Sequence, residues 1–197
     1  LSDFKLIAFD MDSTLINIEC VDEIADAAGR KAEVAAITEA AMRGEITDFK
    51  ESLRRRVALL KGVSVASMEA VYRERLQLNP GAAELVRACK ASGMKVLLVS
   101  GGFTFFADRV RDTLGIDYLR ANELEINHGV LTGQLVDQPW GDICDGEEKR
   151  RTLLATCAEL GINPLQSIAM GDGANDLPMM GAAGLSVAYH AKPKVRE

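Results

Sequence analysis

The chain has 197 residues, 48% of them hydrophobic and 26% charged, with a formal net charge of −6. That length supports one sizeable core, alone or with an insertion, and that composition excludes a disordered chain. The acidic balance excludes binding to nucleic acid or to an anionic membrane through bulk charge, and no apolar run approaches the roughly 20 residues that cross a bilayer.

In chain order, residues 5–9 (KLIAF) read as a strand buried on both faces that ends in Asp10-Met11-Asp12. Residues 17–78 contain no convincing strand and read as helices only, around 20–28, 31–43, 47–61 and 65–77. They predict a small helical cap domain inserted after the first strand, with a core built from 1–16 and 79–197. A helix at 80–90 opens on Pro80 and closes near Gly93, and the strand KVLLVS follows at 95–100. A helix at 105–114 stops at Gly115. Residues 118–135 alternate around Asn127-His128-Gly129 and predict a β-hairpin. A helix at 147–160 stops at Gly161, and SIAMGD (167–172) and LSVAYH (185–190) read as two more fully buried strands. Near-continuous apolar strands alternating with helices imply an α/β fold with a doubly wound parallel sheet.

Cys20, Cys89, Cys144 and Cys157 are scattered with no C-x-x-C pair, and the N-terminus lacks the basic and apolar regions of a secretory signal. Reduced thiols and a cytoplasmic location are expected. His128 and His190 show no metal-ligand spacing. The chain starts at Leu1 and stops in the polar stretch KPKVRE, the pattern of a trimmed piece.

In an open α/β sheet, ligands bind outside the carboxyl ends of the strands. Here three strands end in Asp10, in Ser100-Gly101-Gly102 and in Gly171-Asp172-Gly173. Singly, each has a plain reading: Asp10 as a helix cap, the other two as turns. Together they point to a site. Asp10, Asp12, Asp172 and Asp176 gather charge that a cation must neutralise, and an all-oxygen set favours a hard ion such as Mg²⁺. Ser100 with the N–H groups of Gly101 and Gly102 forms an anion cradle. A metal, a carboxylate and an anion cradle suggest phosphoryl transfer, with one carboxylate as nucleophile and another two residues on as acid and base.

Lys149 sits in the first turn of a helix, where a cation opposes the dipole unless an anion approaches; alone it also reads as a solvated lysine. Of Arg54, Arg55 and Arg56, only Arg56 lies within the apolar stripe of Phe49, Leu53, Val57 and Leu60. An inward arginine needs an anion, either a structural carboxylate or a substrate group. Glu19 could be that carboxylate or hold a substrate ammonium.

These residues resemble the four motifs of the haloacid dehalogenase-like phosphotransferases: DMDSTL, the serine of VSGG, Lys149, and GDGANDLPMM. The phrases VDEIADAAG, SLRRRVALLKG and YHAKPK narrow the resemblance to the phosphoserine phosphatase branch. The resemblance covers residues 5 to about 193, and its members usually continue with one more strand and helix. It implies Asp10 as nucleophile and Mg²⁺ ligand, and Asp12 as general acid and base whose backbone carbonyl also contacts the metal. It implies Asp172 as a further ligand and Asp176 as support behind it. Ser100, Gly101 and Lys149 would hold phosphate, with Asn175 beside it. Glu19 would take the substrate ammonium and Arg56 its carboxylate, while Met42 and Phe49 would line the closed cap.

The implied reaction is Mg²⁺-dependent hydrolysis of O-phospho-L-serine through an aspartyl phosphate, a step of L-serine biosynthesis. The alternative is a phosphatase or phosphotransferase acting on phosphothreonine, phosphoethanolamine or another small phosphoester. The expected partner is that small molecule, with no nucleic acid and no membrane; a homodimer is left open.

Overall fold

The computed structural model describes residues 2–197, and the side chain of Met42 also lies outside the described residues. The chain opens with β1 (Leu6–Phe9), followed by four helices: α1 (Cys20–Ala27), α2 (Lys31–Met42), α3 (Phe49–Ala58) and α4 (Val65–Glu74). Next come α5 (Ala82–Ala91), β2 (Lys95–Phe103), α6 (Thr104–Leu114), β3 (Tyr118–Asn127), β4 (Val130–Val136) and α7 (Gly146–Leu160). The chain ends with β5 (Ser167–Gly171), α8 (Leu177–Ala182), β6 (Leu185–Ala188) and α9 (Pro193–Arg196).

The six strands form one sheet in the order β4-β3-β2-β1-β5-β6, parallel throughout except for β4. Every residue of β1 is buried. Ile7 and Phe9 join one apolar cluster with α1, α5 and α6, while Leu6 and Ala8 join the other with α7 and α8. Period-two alternation thus feeds two cores, which is why the run shows no polar face. Because β2 and β5 flank β1, the carboxyl ends of these three central strands lie side by side where the winding reverses.

Three features differ from the sequence expectation. The strand of residues 95–100 continues through Phe103, with a register shift between Val99 and Phe103. Ser100-Gly101-Gly102 is therefore an irregular strand end, not a turn, and such a bulge re-aims a polar side chain. The hairpin is also part of the main sheet, because Tyr118–Arg120 pair with β2 before β3 turns to pair with β4. Its two-residue loop, His128 and Gly129, has φ of 51° and 76°, the left-handed pair that a tight hairpin requires. Lastly, β6 is an edge strand with Leu185 44% exposed, so its apolar run is not covered on both sides.

Residues 17–78 leave and rejoin the sheet side by side. Asn17 N–H donates to the Gln77 carbonyl at 3.0 Å and Asn79 N–H to the Leu15 carbonyl at 2.8 Å. The Asn79 amide also donates to the carbonyls of Thr14 and Ile16 at 2.8 and 3.0 Å. Two further attachments reach the hairpin and the loop before α7. Gly62 N–H donates to the Leu131 carbonyl at 2.8 Å, and Lys50 and Arg54 clasp Asp142 at 2.7 and 2.6 Å. Among the described residues, no helix is long and apolar enough to cross a membrane.

Candidate active site

A cavity of about 640 Å³ lies between the strand ends and the helices of residues 17–78. Asp10, Asp12, Ser100, Gly101, Gly102, Asp172 and Asn175 line it from the sheet side. Glu19, Phe49 and Arg56 line it from the helical side. The structure thus brings the sequence-predicted residues to one place. Lys149 and Asp176 lie directly behind, both fully buried. Met42 ends α2, and its side chain is outside the described residues.

The polar centre is dense and short of positive charge. Lys149 Nζ donates to Asp10 Oδ1 and to Asp176 Oδ1, both at 2.7 Å. Asp176 Oδ2 accepts the N–H groups of Asp172 and Gly173, each at 3.1 Å. Both oxygens of Asp176 are therefore engaged by the protein. Gly171 is required here by close approach: a Cβ on it would lie 2.5 Å from the Asp176 carboxyl. Asp172 accepts from Thr14 Oγ1 at 3.2 Å, and Lys192 Nζ stands 3.7 Å from its other oxygen.

Oxygens of Asp10, Asp172 and Asp176 all lie within 4.8 Å of one another, and all three residues are buried. Burial pushes the Asp10 carboxyl well above its ordinary value, and the charges of Asp176 and Asp172 add to this against Lys149. For Lys149, burial opposes the charge, but Asp10 and Asp176 outweigh it and raise its pKa. One ammonium among three carboxylates keeps its proton and leaves a negative excess. An all-oxygen, carboxylate-rich set of this kind fits a hard divalent cation.

Asp12 turns away from this cluster. It accepts from Cys20 N–H at 3.0 Å and from Cys20 Sγ at 3.2 Å, at the start of α1. Burial, with the charge of Glu19 adding, pushes its carboxyl up to about 7. Glu19 accepts from Ser13 Oγ at 2.7 Å, and Ser13 takes the left-handed conformation (φ 59°) that sets the turn between Asp12 and α1. Burial raises the Glu19 carboxyl as well.

Helical phase places Arg56 correctly. Leu53, Val57 and Leu60 are buried, Arg54 and Arg55 are exposed, and Arg56 is half-buried facing the cavity. Among the described residues Arg56 has no ion-pair partner; Nε donates to the Ser52 carbonyl at 3.3 Å. Burial lowers its pKa, against the more distant charges of Asp22, Glu19 and Asp12.

Sequence reasoning missed Cys20, Thr14 and Lys192, which contact the acidic groups. Thr14 and Lys192 left a signal, through the phrases DMDSTL and YHAKPK; Cys20 left none.

A model of the haloacid dehalogenase-like hydrolase family matches residues 7–181. The chain is 83% identical over all 197 residues to a phosphoserine phosphatase of Polaromonas sp. strain JS666, covering 84% of that protein. It is 77% identical over its whole length to one from Albidiferax ferrireducens, covering 83% of it. Among solved structures it resembles a phospho-aspartyl intermediate analogue of phosphoserine phosphatase, with 40% identity and a TM-score of 0.89 over 98% of this chain and 90% of that one. A substrate-bound phosphoserine phosphatase complex matches with the same identity and TM-score over 98% of this chain and 89% of that one. With the family model matching residues 7–181 and relatives 83% and 77% identical along its full length, the chain belongs to the phosphoserine phosphatases of the haloacid dehalogenase-like hydrolase family.

Proposed function

We propose that this chain hydrolyses O-phospho-L-serine to L-serine and phosphate, with Mg²⁺ at Asp10, Asp172 and the backbone carbonyl of Asp12. One observation carries the reading. A single cavity joins a buried carboxylate cluster and the Ser100 cradle on one wall to a carboxylate, Glu19, and an arginine without an ion-pair partner, Arg56, on the other. A zwitterionic phosphoester needs both walls.

When bound, the metal neutralises the cluster and draws charge from the phosphoryl oxygens. The chain's own groups do the rest. Lys149 engages Asp10 Oδ1, and Oδ2 attacks phosphorus. As the bond from phosphorus to the serine oxygen breaks, Asp12 gives that oxygen its proton. Asp12 then takes a proton from water, whose oxygen attacks phosphorus and frees Asp10. A carboxyl near 7 suits a group that must both give and take a proton at neutral pH. Ser100, the Gly101 amide and Lys149 hold the phosphoryl oxygens, with Asn175 beside them. Asp176 holds the 172–173 backbone in place. Residues 17–78 form a cap that shuts through the Lys50–Asp142 and Arg54–Asp142 pairs and excludes water, with Met42 and Phe49 facing the substrate. A role in L-serine biosynthesis puts the enzyme in the cytoplasm, in keeping with four free, buried cysteines.

A panel of small phosphoesters, assayed with Mg²⁺ and with EDTA, tests the reading. Phosphoserine is expected to be turned over best, and only with the metal. Preference for a sugar phosphate, or full activity in EDTA, overturns it. Arg56→Ala is expected to raise KM for phosphoserine roughly tenfold to a hundredfold, the worth of a charged hydrogen bond. KM for phosphoethanolamine, which has no carboxylate, should barely change. Equal effects on both contradict the carboxylate role.

The metal also sets a pH dependence of stability. Asp12 rises from 3.8 to about 7 on folding, so between these values the folded state holds more protons than the unfolded one. Stability of the metal-free protein then falls as pH rises through this window. Mg²⁺ binds the ionised cluster, so the gap in melting temperature between Mg²⁺ and EDTA should widen from about pH 5 to about pH 8. A gap that stays constant contradicts the assignment.

A further inference from the structure

Asn122 lies on β3, outside every motif that pointed to the site, yet it is only 1% exposed. Its amide is used at both ends. Nδ2 donates to the Gly101 carbonyl at 2.9 Å, and Oδ1 accepts the Cys144 N–H at 2.8 Å. Only this orientation pairs a donor with a carbonyl and an acceptor with an N–H.

The consequence falls on Ser100. The Gly101–Gly102 peptide is held at its carbonyl by Asn122 and at its N–H by Ser100 Oγ, 2.8 Å away. A hydroxyl that accepts there keeps its own proton free to donate, and Ser100 lines the cavity. Gly101 has no side chain to anchor this strand end. A Cβ on it would meet Phe49 at 3.3 Å and the Cys144 carbonyl at 3.4 Å. At its other end, Asn122 holds the residue before Asp145, which caps α7 by accepting Glu148 N–H at 2.9 Å. That helix carries Lys149.

We propose that Asn122 is a positioning residue for the phosphoryl group, aligning the Ser100 hydroxyl as a donor through the Gly101–Gly102 peptide. This rests on the phosphate role of Ser100 given above. Without Asn122 the Gly101 carbonyl and the buried Cys144 N–H lose these partners, and the peptide is held by a side chain only through its N–H on Ser100 Oγ.

A double-mutant cycle with Ser100 tests it. Asn122→Ala is expected to lower kcat/KM for phosphoserine, and weaken inhibition by inorganic phosphate, about tenfold or more. In a Ser100→Ala background the same change should cost less than about threefold, because groups acting as one unit are not additive. Asn122→Asp keeps the size and the acceptor for Cys144 but loses the donor to Gly101, and is expected to behave like Asn122→Ala. If Asn122→Ala fails to fold, the Asn122→Asp cycle decides by the same criterion. Equal fold losses in both backgrounds overturn the proposal, as does a lowered melting temperature with unchanged kcat/KM. If Ser100→Ala alone changes neither turnover nor phosphate inhibition, the phosphate role of Ser100 fails first, and the inference with it.

Discussion

Asp10→Asn is expected to abolish phosphoserine hydrolysis, lowering kcat by at least about 10⁴-fold, the scale of losing a covalent nucleophile. The fold should survive. Asparagine matches aspartate in shape and can still accept from Lys149 through its amide oxygen. Burial already makes the Asp10 charge unfavourable in the metal-free protein, and Asp176 and Asp172 add repulsion. Removing that charge should leave the melting temperature in EDTA unchanged or higher. Activity and stability are thus opposed at this position, as expected where a site holds strain or charge for chemistry. Steady-state kinetics and melting curves of the variant check both halves. Retained turnover removes Asp10 from the reaction.

Lys149→Met carries the second large effect, and here activity and stability should fall together. Lys149 is fully buried and is the cation hydrogen-bonded to both Asp10 and Asp176. Its removal leaves buried carboxylates uncompensated, which costs about 3–5 kcal/mol when one partner of a buried pair is deleted. Denaturant unfolding in EDTA measures this. Adding Asp176→Asn to Lys149→Met should recover part of the stability without recovering turnover, since the phosphate still lacks its ammonium. A loss below about 1 kcal/mol, the range of surface pairs, contradicts the arrangement.

Much of this site could be read before any coordinates, for a physical reason. Asp10 and Asp172 each terminate an apolar strand, and the topology of an open α/β sheet brings such ends together whatever lies between them. Arg56 was separable from Arg54 and Arg55 because helical phase is a local property. What stayed hidden depends on long-range packing. Asn122 sits in an alternating stretch that reads as hairpin, and its two partners are 21 and 22 residues away in the chain. Cys20 reads as an ordinary core thiol, and its bonds to Asp12 depend on how the turn between them folds. The strand LSVAYH misled for a related reason: an edge strand and a central one share the same composition, and only the neighbours differ. Taken singly, Ser100-Gly101-Gly102 could equally have been a turn, because glycine serves turns and bulges alike; the extension of the strand to Phe103 was not legible.

The most direct measurement is a rapid acid quench of the enzyme turning over phosphoserine with Mg²⁺, followed by peptide mass spectrometry. The mass of one phosphoryl group is predicted on the peptide bearing Asp10, lost on hydroxylamine treatment and absent from Asp10→Asn. A phosphoryl group on any other residue, or turnover with no phosphorylated peptide in single-turnover samples, would contradict capture of phosphorus by Asp10.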